Sequence, residues 1–327
     1  MKRIFIFVFS LAIMLSSFSE DKAKDKDFSG NPIFEGWYAD PEGAIFGKEY
    51  WIYPTYSTSF SKQLFMDAFS SKDLVNWTKH ERVISKDNIH WLTSALWAPA
   101  IVEKDGKYYF FFGANNIQNN NQMGGIGVAV STNPAGPFID AIGRPLIGKI
   151  VNHAQPIDQF VFRDDDGQYY IYYGGWGHCN VAKLKNSLTE LDAFSPGDTL
   201  REITPEGYTE GPFMIKRGGK YYFMWSEGDF NGPNYRVAYA ISDNPLGPFK
   251  REGIILQQDS AIGTGAGHHS VIKGKGKNEY YIIYHRHPLG AKDGNNRVVC
   301  IDKLHFSKDG QIQPVKMTFK GVKRRKL

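Results

Sequence analysis

A short aromatic segment that recurs five times along the chain constrains the fold more than any other feature. Each copy is a charged or amide residue followed by Tyr and a second aromatic residue. The copies are Glu49–Tyr53, Lys107–Phe111, Gln168–Tyr172, Lys220–Met224 and Glu279–Ile283. Aromatic residues favour strands, and each copy follows a polar or glycine-containing turn. Each copy is therefore predicted to be the second strand of a β-hairpin.

The spacing of the copies predicts how these hairpins are arranged. Their first tyrosines lie at positions 50, 108, 169, 221 and 280, which gives intervals of 58, 61, 52 and 59 residues. A unit of this length holds about four strands with their turns, the size of one propeller blade. The sequence therefore predicts an all-β fold, a five-bladed β-propeller. A β-sandwich is the alternative, but it does not require five units of similar length.

The N-terminus has the pattern of a secretory signal peptide. Lys2 and Arg3 precede an apolar run from Ile4 to Leu15, and small residues suited to cleavage follow. The run is shorter than the ~20 residues that span a bilayer comfortably. We expect cleavage, with an uncleaved membrane anchor as the alternative.

The chain is accordingly divided into three parts. Residues 1–19 are predicted to be the signal peptide, 20–30 a flexible lead-in, and 31–327 a single propeller domain. A closing strand that ends near Phe319 is expected to pair with the N-terminal segment and lock the ring. The protein is expected to be secreted or periplasmic, with no membrane attachment after cleavage. The sequence leaves its oligomeric state open.

Charge and cysteine content exclude several functional classes. The formal net charge is +5, and Lys and Arg are interspersed with Asp and Glu. Nucleic-acid-binding proteins cluster basic residues on one face, so no nucleic-acid partner is expected. Cys179 and Cys300 are too few for a disulfide framework, and the sequence allows either one disulfide or two buried thiols. No Cys/His spacing suggests zinc.

Polar residues recur at a fixed distance before the repeated tyrosines. The residues 10 to 12 positions before them are Asp40, Trp97, Asp158, Glu210 and the pair His268 and His269. The first strand of a propeller blade lies innermost, so matching positions should converge near the central axis. Burying three carboxylates there is unfavourable unless each is paired, protonated or hydrated. The set therefore predicts an active site at the axis.

Three converging carboxylates favour acid–base chemistry. Like charges in a dry pocket raise one another's pKa, so one carboxylate can stay ionised as a base while another keeps its proton as an acid. Glycoside hydrolysis needs such a pair on the two sides of the scissile bond. Trp97 could offer an apolar face to a sugar ring, or it could be an ordinary core aromatic.

These motifs closely resemble those of glycoside hydrolase family 43, five-bladed propeller enzymes that act on arabinose- and xylose-containing polysaccharides. The resemblance extends from about Asn31 to Phe306. It implies an inverting reaction with Asp40, in Tyr-Ala-Asp-Pro, as general base. It also implies that Glu210, in Glu-Gly-Pro, is the general acid, and that Asp158 positions this acid and raises its pKa.

The resemblance also implies which residues contact the substrate. Trp97 stands in the Trp-Ala-Pro motif, His268 in the Gly-His-His-Ser-Val motif of the central channel, and Arg297 before Val298-Val299. Trp37 is a further candidate, and Arg286 competes with Arg297 for the substrate role. Gln159 is a departure, since the family often has Pro after the second Asp.

The family implies no required cofactor. It allows a structural calcium ion in the central channel, held through water beside His268.

The expected substrates are arabinose- or xylose-containing glycans. We expect an exo-acting α-L-arabinofuranosidase or a β-xylosidase, with an endo-arabinanase or a galactofuranosidase of the same fold as alternatives. Retaining sucrose- and fructan-cleaving propellers are a further alternative, but their Asn-Asp-Pro-Asn, Arg-Asp-Pro and Glu-Cys segments are absent. A sugar-binding propeller without catalysis would not need three aligned acids.

Overall fold

The structure is a computed structural model that describes residues 27–327. The predicted signal peptide and most of the predicted lead-in lie outside the described residues. In the described part, the chain forms five antiparallel sheets and one short 3-10 helix, Phe60–Lys62. No helix among residues 27–327 is long and apolar enough to cross a membrane.

The first two blades are four-stranded sheets in which consecutive strands are neighbours. Blade 1 contains β1 (Tyr38–Phe46), β2 (Glu49–Tyr56), β3 (Phe65–Ser71) and β4 (Thr78–Ser85). Blade 2 contains β5 (Trp97–Lys104), β6 (Lys107–Ala114), β7 (Gly125–Ser131) and β8 (Ile139–Asp140).

The other three blades vary this plan. Blade 3 contains β9 (Phe160–Arg163), β10 (Tyr169–Tyr173), β11 (Asn180–Leu184), β12 (Leu191–Asp192) and β13 (Arg201–Glu202), and both β12 and β13 pair with β11. Blade 4 contains β14 (Glu210–Arg217), β15 (Lys220–Glu227), β16 (Arg236–Ser242) and β17 (Lys250–Leu256). Blade 5 contains β18 (Gly263–Lys273), β19 (Tyr280–Pro288) and β20 (Val298–Leu304).

The blades close into a ring through their first strands. These strands contact one another in the cyclic order β1, β5, β9, β14, β18 and back to β1. The five aromatic segments form or begin the second strands, β2, β6, β10, β15 and β19. The predicted five-bladed propeller is therefore confirmed, and the β-sandwich alternative is wrong.

The hydrophobic core lies between adjacent blades, which explains the aromatic repeat. Tyr53 of blade 1 meets Phe110 of blade 2 edge to face, with ring centroids 5.6 Å apart. Tyr172 of blade 3 and Phe223 of blade 4 also meet across the blade boundary, with ring centroids 5.5 Å apart and the rings tilted at 50°. Large rings fill the space between blades and bury much apolar area per residue.

The two chain ends close blade 5. Ser29 N–H donates to the Val322 carbonyl (2.9 Å), and Asn31 N–H donates to the Phe319 carbonyl (2.8 Å). Ile33 N–H donates to the Val299 carbonyl of β20 at 3.0 Å. The predicted pairing between the ends of the chain is thus present. Ser29, which the sequence placed in the lead-in, takes part in it.

The two cysteines are far apart in the fold and are not bonded to each other. Cys179 precedes β11 in blade 3 and Cys300 lies on β20 in blade 5. Both are buried free thiols. The structure therefore has the second of the two arrangements that the sequence allowed.

Candidate active site

A left-handed residue recurs at the axial end of the inner strands. The φ angles are 48° at Asp40, 46° at Ala98, 55° at Asp158, 63° at Gly211 and 36° at His268. In β1, β5, β14 and β18 the strand pairing also shifts at this point, as in a β-bulge. Bulges bend a strand and re-aim its side chains, and they are common beside active sites.

Strand pairing corrects the register predicted from the sequence. It places Glu42, Ala100, Phe160, Phe213 and Ser270 opposite the third residue after each repeated tyrosine. Two residues before these positions lie Asp40, Ala98, Asp158, Gly211 and His268. The prediction that Trp97 and Glu210 are equivalent to Asp40 is therefore wrong by one residue. The first hairpins of blades 3 and 5 are longer than that of blade 1 by one and two residues, so the same count along the chain reaches different strand positions in different blades.

The bulged ends nevertheless bring the predicted carboxylates together. Asp40, Asp158 and Glu210 line one cavity of about 310 Å³ at the end of the channel. The cavity is also lined by Trp97, His268 and Arg297, so six of the predicted site residues meet there. The remaining lining residues are Phe60, Asn116, Gln118, Gln155, Ile157, Trp176 and Phe230.

Two residues predicted to contact the substrate, Arg286 and Trp37, do not line the cavity. The Arg286 guanidinium is buried within blade 5, where its Nε donates to Cys300 Sγ at 3.1 Å. It also lies over the Phe319 ring, 5.3 Å from the centroid. Trp37 is 45% exposed and does not line the cavity. Of the two competing arginines, only Arg297 reaches the carboxylates, because it lies in the loop just before β20 at the channel end.

Asp40 is held ionised by its neighbours. Its Oδ1 lies 3.3 Å from Arg297 Nη1, 3.4 Å from His268 Nδ1 and 3.3 Å from His285 Nδ1. Burial alone would raise the pKa of Asp40, but Arg297 and His268 outweigh it and hold the pKa well below its usual range. Asp40 can therefore act as a base near neutral pH.

His285 fixes the position of Asp40 as a neutral ring. The backbone N–H of Asp40 donates to His285 Nδ1 at 3.1 Å, so this nitrogen is an acceptor and the proton lies on Nε2. Burial lowers the pKa of His285 to about 3. On one face the imidazole stacks against Tyr235, with centroids 5.6 Å apart.

The pKa values of Glu210 and Asp158 are raised, whereas that of Asp40 is lowered. Burial raises the pKa of Glu210 to about 7, although the Tyr235 hydroxyl opposes this by donating to Glu210 Oε1 at 2.8 Å. Burial, together with the charges of Glu210 and Asp40, raises the pKa of Asp158. Because the two carboxyls share a buried site, the pair retains at least one proton near neutral pH. The cavity thus holds one ionised carboxylate and a proton-bearing pair.

His268 lies between two of the carboxylates. Its Nδ1 is 3.4 Å from Asp40 Oδ1 and 3.5 Å from Asp158 Oδ2. Calcium prefers six to eight oxygen ligands. Within residues 27–327, no group of three or more His, Cys, Asp or Glu side chains is arranged to hold a metal ion. The protein atoms beside His268 therefore do not form a calcium cage, and the calcium ion stays a prediction.

The sequence did not indicate Tyr235 or His285. In the structure Tyr235 packs closely against Gly267, where an added Cβ would lie 2.3 Å from its ring, so the glycine before His268 permits this approach. The cavity walls Phe60, Trp176 and Phe230 lie outside the inner strands and share no register with the repeat.

One wall of the cavity is made of amides. Gln155 Nε2 donates to Asn116 Oδ1 at 2.8 Å and to the Ile117 carbonyl at 2.9 Å. Gln118 Nε2 donates to the Asn116 carbonyl at 2.9 Å. Neutral amides and aromatic rings around acid–base groups suit an uncharged, hydroxyl-rich ligand.

Comparison with known proteins points to one family. The model of "Glycosyl hydrolases family 43" matches residues 29–312. The chain is 44% identical to the β-D-galactofuranosidase xynD of Aspergillus niger, covering 91% of this chain and 88% of that protein. It is 30% identical to a xylosidase/arabinosidase of Bacteroides ovatus, covering 84% and 94%.

Solved structures give the same result. An α-L-arabinofuranosidase from Clostridium thermocellum superposes with a TM-score of 0.72 at 31% sequence identity. The match covers 88% of this chain and 96% of that one.

Proposed function

We propose that Asp40, Asp158 and Glu210 perform an inverting reaction in this chain, which belongs to glycosyl hydrolase family 43 and is a glycoside hydrolase. The observation that carries these roles is the electrostatic contrast within one cavity. Arg297 and His268 keep Asp40 ionised, whereas burial raises the pKa of Glu210 to about 7.

Each carboxylate has a distinct part in the proposed mechanism. Asp40 takes a proton from a water molecule, which attacks the anomeric carbon. Glu210 gives its proton to the oxygen of the leaving group. Asp158, whose carboxylate accepts a hydrogen bond from the Gly211 N–H, positions Glu210 and raises its pKa. Inversion requires ~6.5–9.5 Å between the base and the acid, which leaves room for the water.

The proposed substrate is a glycan with a terminal furanosyl group, and the cleavage is exo-acting. The cavity is at the small end of the ~300–1,000 Å³ range of ligand pockets, which suits one sugar unit. We favour an α-L-arabinofuranosyl group. The 44% identity to a galactofuranosidase supports a β-D-galactofuranosyl group as the second candidate. The two rings carry their hydroxyls in the same configuration and differ in the side chain at C4.

The catalytic roles are tested with amide variants. Asp40→Asn and Glu210→Gln keep the size of the side chain but remove the base and the acid, so turnover should fall by about 10²–10⁴-fold. Asp166→Asn, in the exposed turn before β10, is the matched control and should retain wild-type turnover. Circular dichroism confirms that each variant is folded. Full activity in either active-site variant would refute its assigned role.

The sugar and the stereochemistry need separate measurements. A panel of nitrophenyl α-L-arabinofuranoside, β-D-xyloside and β-D-galactofuranoside, alongside linear arabinan, identifies the preferred terminal group. NMR of the first-formed product gives its anomeric configuration. Retention instead of inversion would favour the mechanism of the sucrose- and fructan-cleaving propellers.

Export is part of the proposal. The charged and apolar pattern of residues 1–19 supports cleavage of a signal peptide and a secreted or periplasmic enzyme. Mass spectrometry of protein recovered outside the cytoplasm should show a chain shortened by about this segment. Recovery of the full-length chain in the membrane fraction would instead favour an uncleaved anchor.

A further inference from the structure

Trp176 has a backbone conformation that does not suit its side chain. Its φ is +59°, and it follows Gly175 in a turn closed by a hydrogen bond from His178 N–H to the Gly175 carbonyl at 3.3 Å. Left-handed backbone is unfavourable for bulky residues, and Gly or Asn is the usual residue in such a turn. The side chain is also 46% exposed, so burial in a core does not explain the tryptophan.

Backbone hydrogen bonds on both sides of Trp176 hold its turn in place. Gly175 N–H donates to the Gln155 carbonyl at 3.1 Å, and Gly177 N–H donates to the Thr209 carbonyl at 3.1 Å. Thr209 directly precedes Glu210. Trp176 itself lines the cavity. A strained, exposed indole is therefore held at the cavity beside the residue to which the acid role is assigned.

The indole face is available to a ligand. Within residues 27–327, no aromatic ring or cation stacks on Trp176. The other indole of the cavity is different, because Trp97 packs edge to face against Phe60 with centroids 4.9 Å apart. Trp97 also packs closely against Gly113, where an added Cβ would lie 2.9 Å from the indole ring. Trp97 is thus held by its neighbours, whereas the Trp176 ring faces open space.

We propose that Trp176 is the stacking platform for the leaving-group sugar, and so determines which glycans are cleaved. The inference rests on the proposed role of Glu210 as general acid. An acid must reach the oxygen that joins the cleaved sugar to its leaving group, so the leaving group lies on the Glu210 side. An exposed indole there offers a flat apolar surface to the C–H face of a sugar ring.

The test compares two leaving groups on the same terminal sugar. The substrates are α-1,5-linked L-arabinobiose, whose leaving group is a sugar, and methyl α-L-arabinofuranoside, whose leaving group is too small to stack. The variant is Trp176→Asn, because Asn tolerates positive φ. The ratio of kcat/KM for arabinobiose to that for the methyl glycoside should fall about tenfold, mainly through KM. The melting temperature should not fall. Phe319→Ala, which removes an exposed ring outside the cavity, is the control and should leave the ratio unchanged.

The results distinguish a failure of the proposed role of Trp176 from a failure of the proposed function. An unchanged ratio in Trp176→Asn refutes the proposed role of Trp176, whether kcat/KM stays the same on both substrates or falls equally on both. A lower melting temperature overturns it as well, because it would give Trp176 a structural role. If the wild-type enzyme cleaves neither substrate, while the panel of glycosides and arabinan is also inert, the proposed function itself fails.

Discussion

Two carboxyls in one cavity, Asp40 and Glu210, are tuned in opposite directions by their immediate neighbours. Both are buried, so burial favours the protonated form of each. Asp40 has Arg297 and His268 within 3.4 Å of its Oδ1, and their combined effect keeps it ionised. Glu210 has one hydroxyl donor, Tyr235, and its pKa remains raised, at about 7. The contrast in partners therefore supports the proposed roles of Asp40 as base and Glu210 as acid.

The pH dependence of activity should follow from this contrast. Glu210 must be protonated to act as an acid, so kcat/KM should decline as the pH rises through about 7. Asp40 must be ionised, and its lowered pKa places the acid limb well below neutral pH. A pH–rate profile of kcat/KM between about pH 3 and 10 checks both limbs. A rate that keeps rising above pH 8 would contradict the role of Glu210.

Tyr235→Phe tests the same carboxyl more directly. The Tyr235 hydroxyl donates to Glu210 and so stabilises its ionised form, which lowers the pKa. Removing the hydroxyl should raise the pKa of Glu210 and move the basic limb to higher pH, by about one unit for ~1.4 kcal/mol of lost interaction. Tyr239→Phe, whose hydroxyl contacts Gln311 far from the cavity, is the control. A downward shift in Tyr235→Phe would contradict this account.

At the scale of the element, the repeated bulge is what converts an ordinary inner strand into part of a site. The aromatic pattern predicted the second strands because side chains between blades must be large and apolar. The exact register was not predictable in this way, since first hairpins of different length make the same count along the chain reach different strand positions. The prediction therefore identified Trp97 and Glu210 as site residues but placed each at the wrong position of its strand.

The bulge of blade 4 can be tested at Gly211. An alanine there would adopt φ +63°, with its Cβ 3.2 Å from Ser226 Oγ and 3.4 Å from His268. Gly143→Ala is the matched control, because Gly143 also has positive φ (+69°) but nothing lies within 4 Å of its Cβ. Both variants should lower the free energy of unfolding by ~1–2 kcal/mol. Only Gly211→Ala should also lower kcat, since it displaces His268 and the N–H that contacts Asp158. Equal kcat values for the two variants would mean that the bulge does not position the site.

At the scale of the whole molecule, the sequence predicted the ring better than it predicted the walls of the site. Five copies at four similar intervals required five similar units, and a ring is the arrangement that buries both faces of every unit. The inner ends of the strands then had to meet, which predicted the carboxylates. Phe60, Trp176 and Phe230 come from connections that the repeat does not govern, so only the three-dimensional structure brings them to the cavity.

One buried side chain, Asn31, contributes to the closure of the ring. Its Nδ2 donates to the Ile301 carbonyl (3.0 Å) and the Thr318 carbonyl (2.9 Å) and lies 3.1 Å from Asp302 Oδ2. Its Oδ1 accepts from Ile301 N–H at 2.8 Å. The Asn31 amide therefore joins the N-terminal segment, β20 and the C-terminal segment. No neighbouring blade could replace these hydrogen bonds.

Asn31→Ala should therefore destabilise the whole ring. The substitution leaves the Ile301 N–H and the carbonyls without their buried partner, at ~1–3 kcal/mol for each unsatisfied group. We expect the free energy of unfolding in urea to fall by about 3 kcal/mol, with kcat unchanged at temperatures where the variant remains folded. Asn119→Ala, in the exposed loop after β6, should be neutral. If Asn31→Ala unfolds at the wild-type urea concentration, the ring is held closed by the backbone pairing of Ser29–Asn31 with the C-terminal segment, and the amide adds nothing to it.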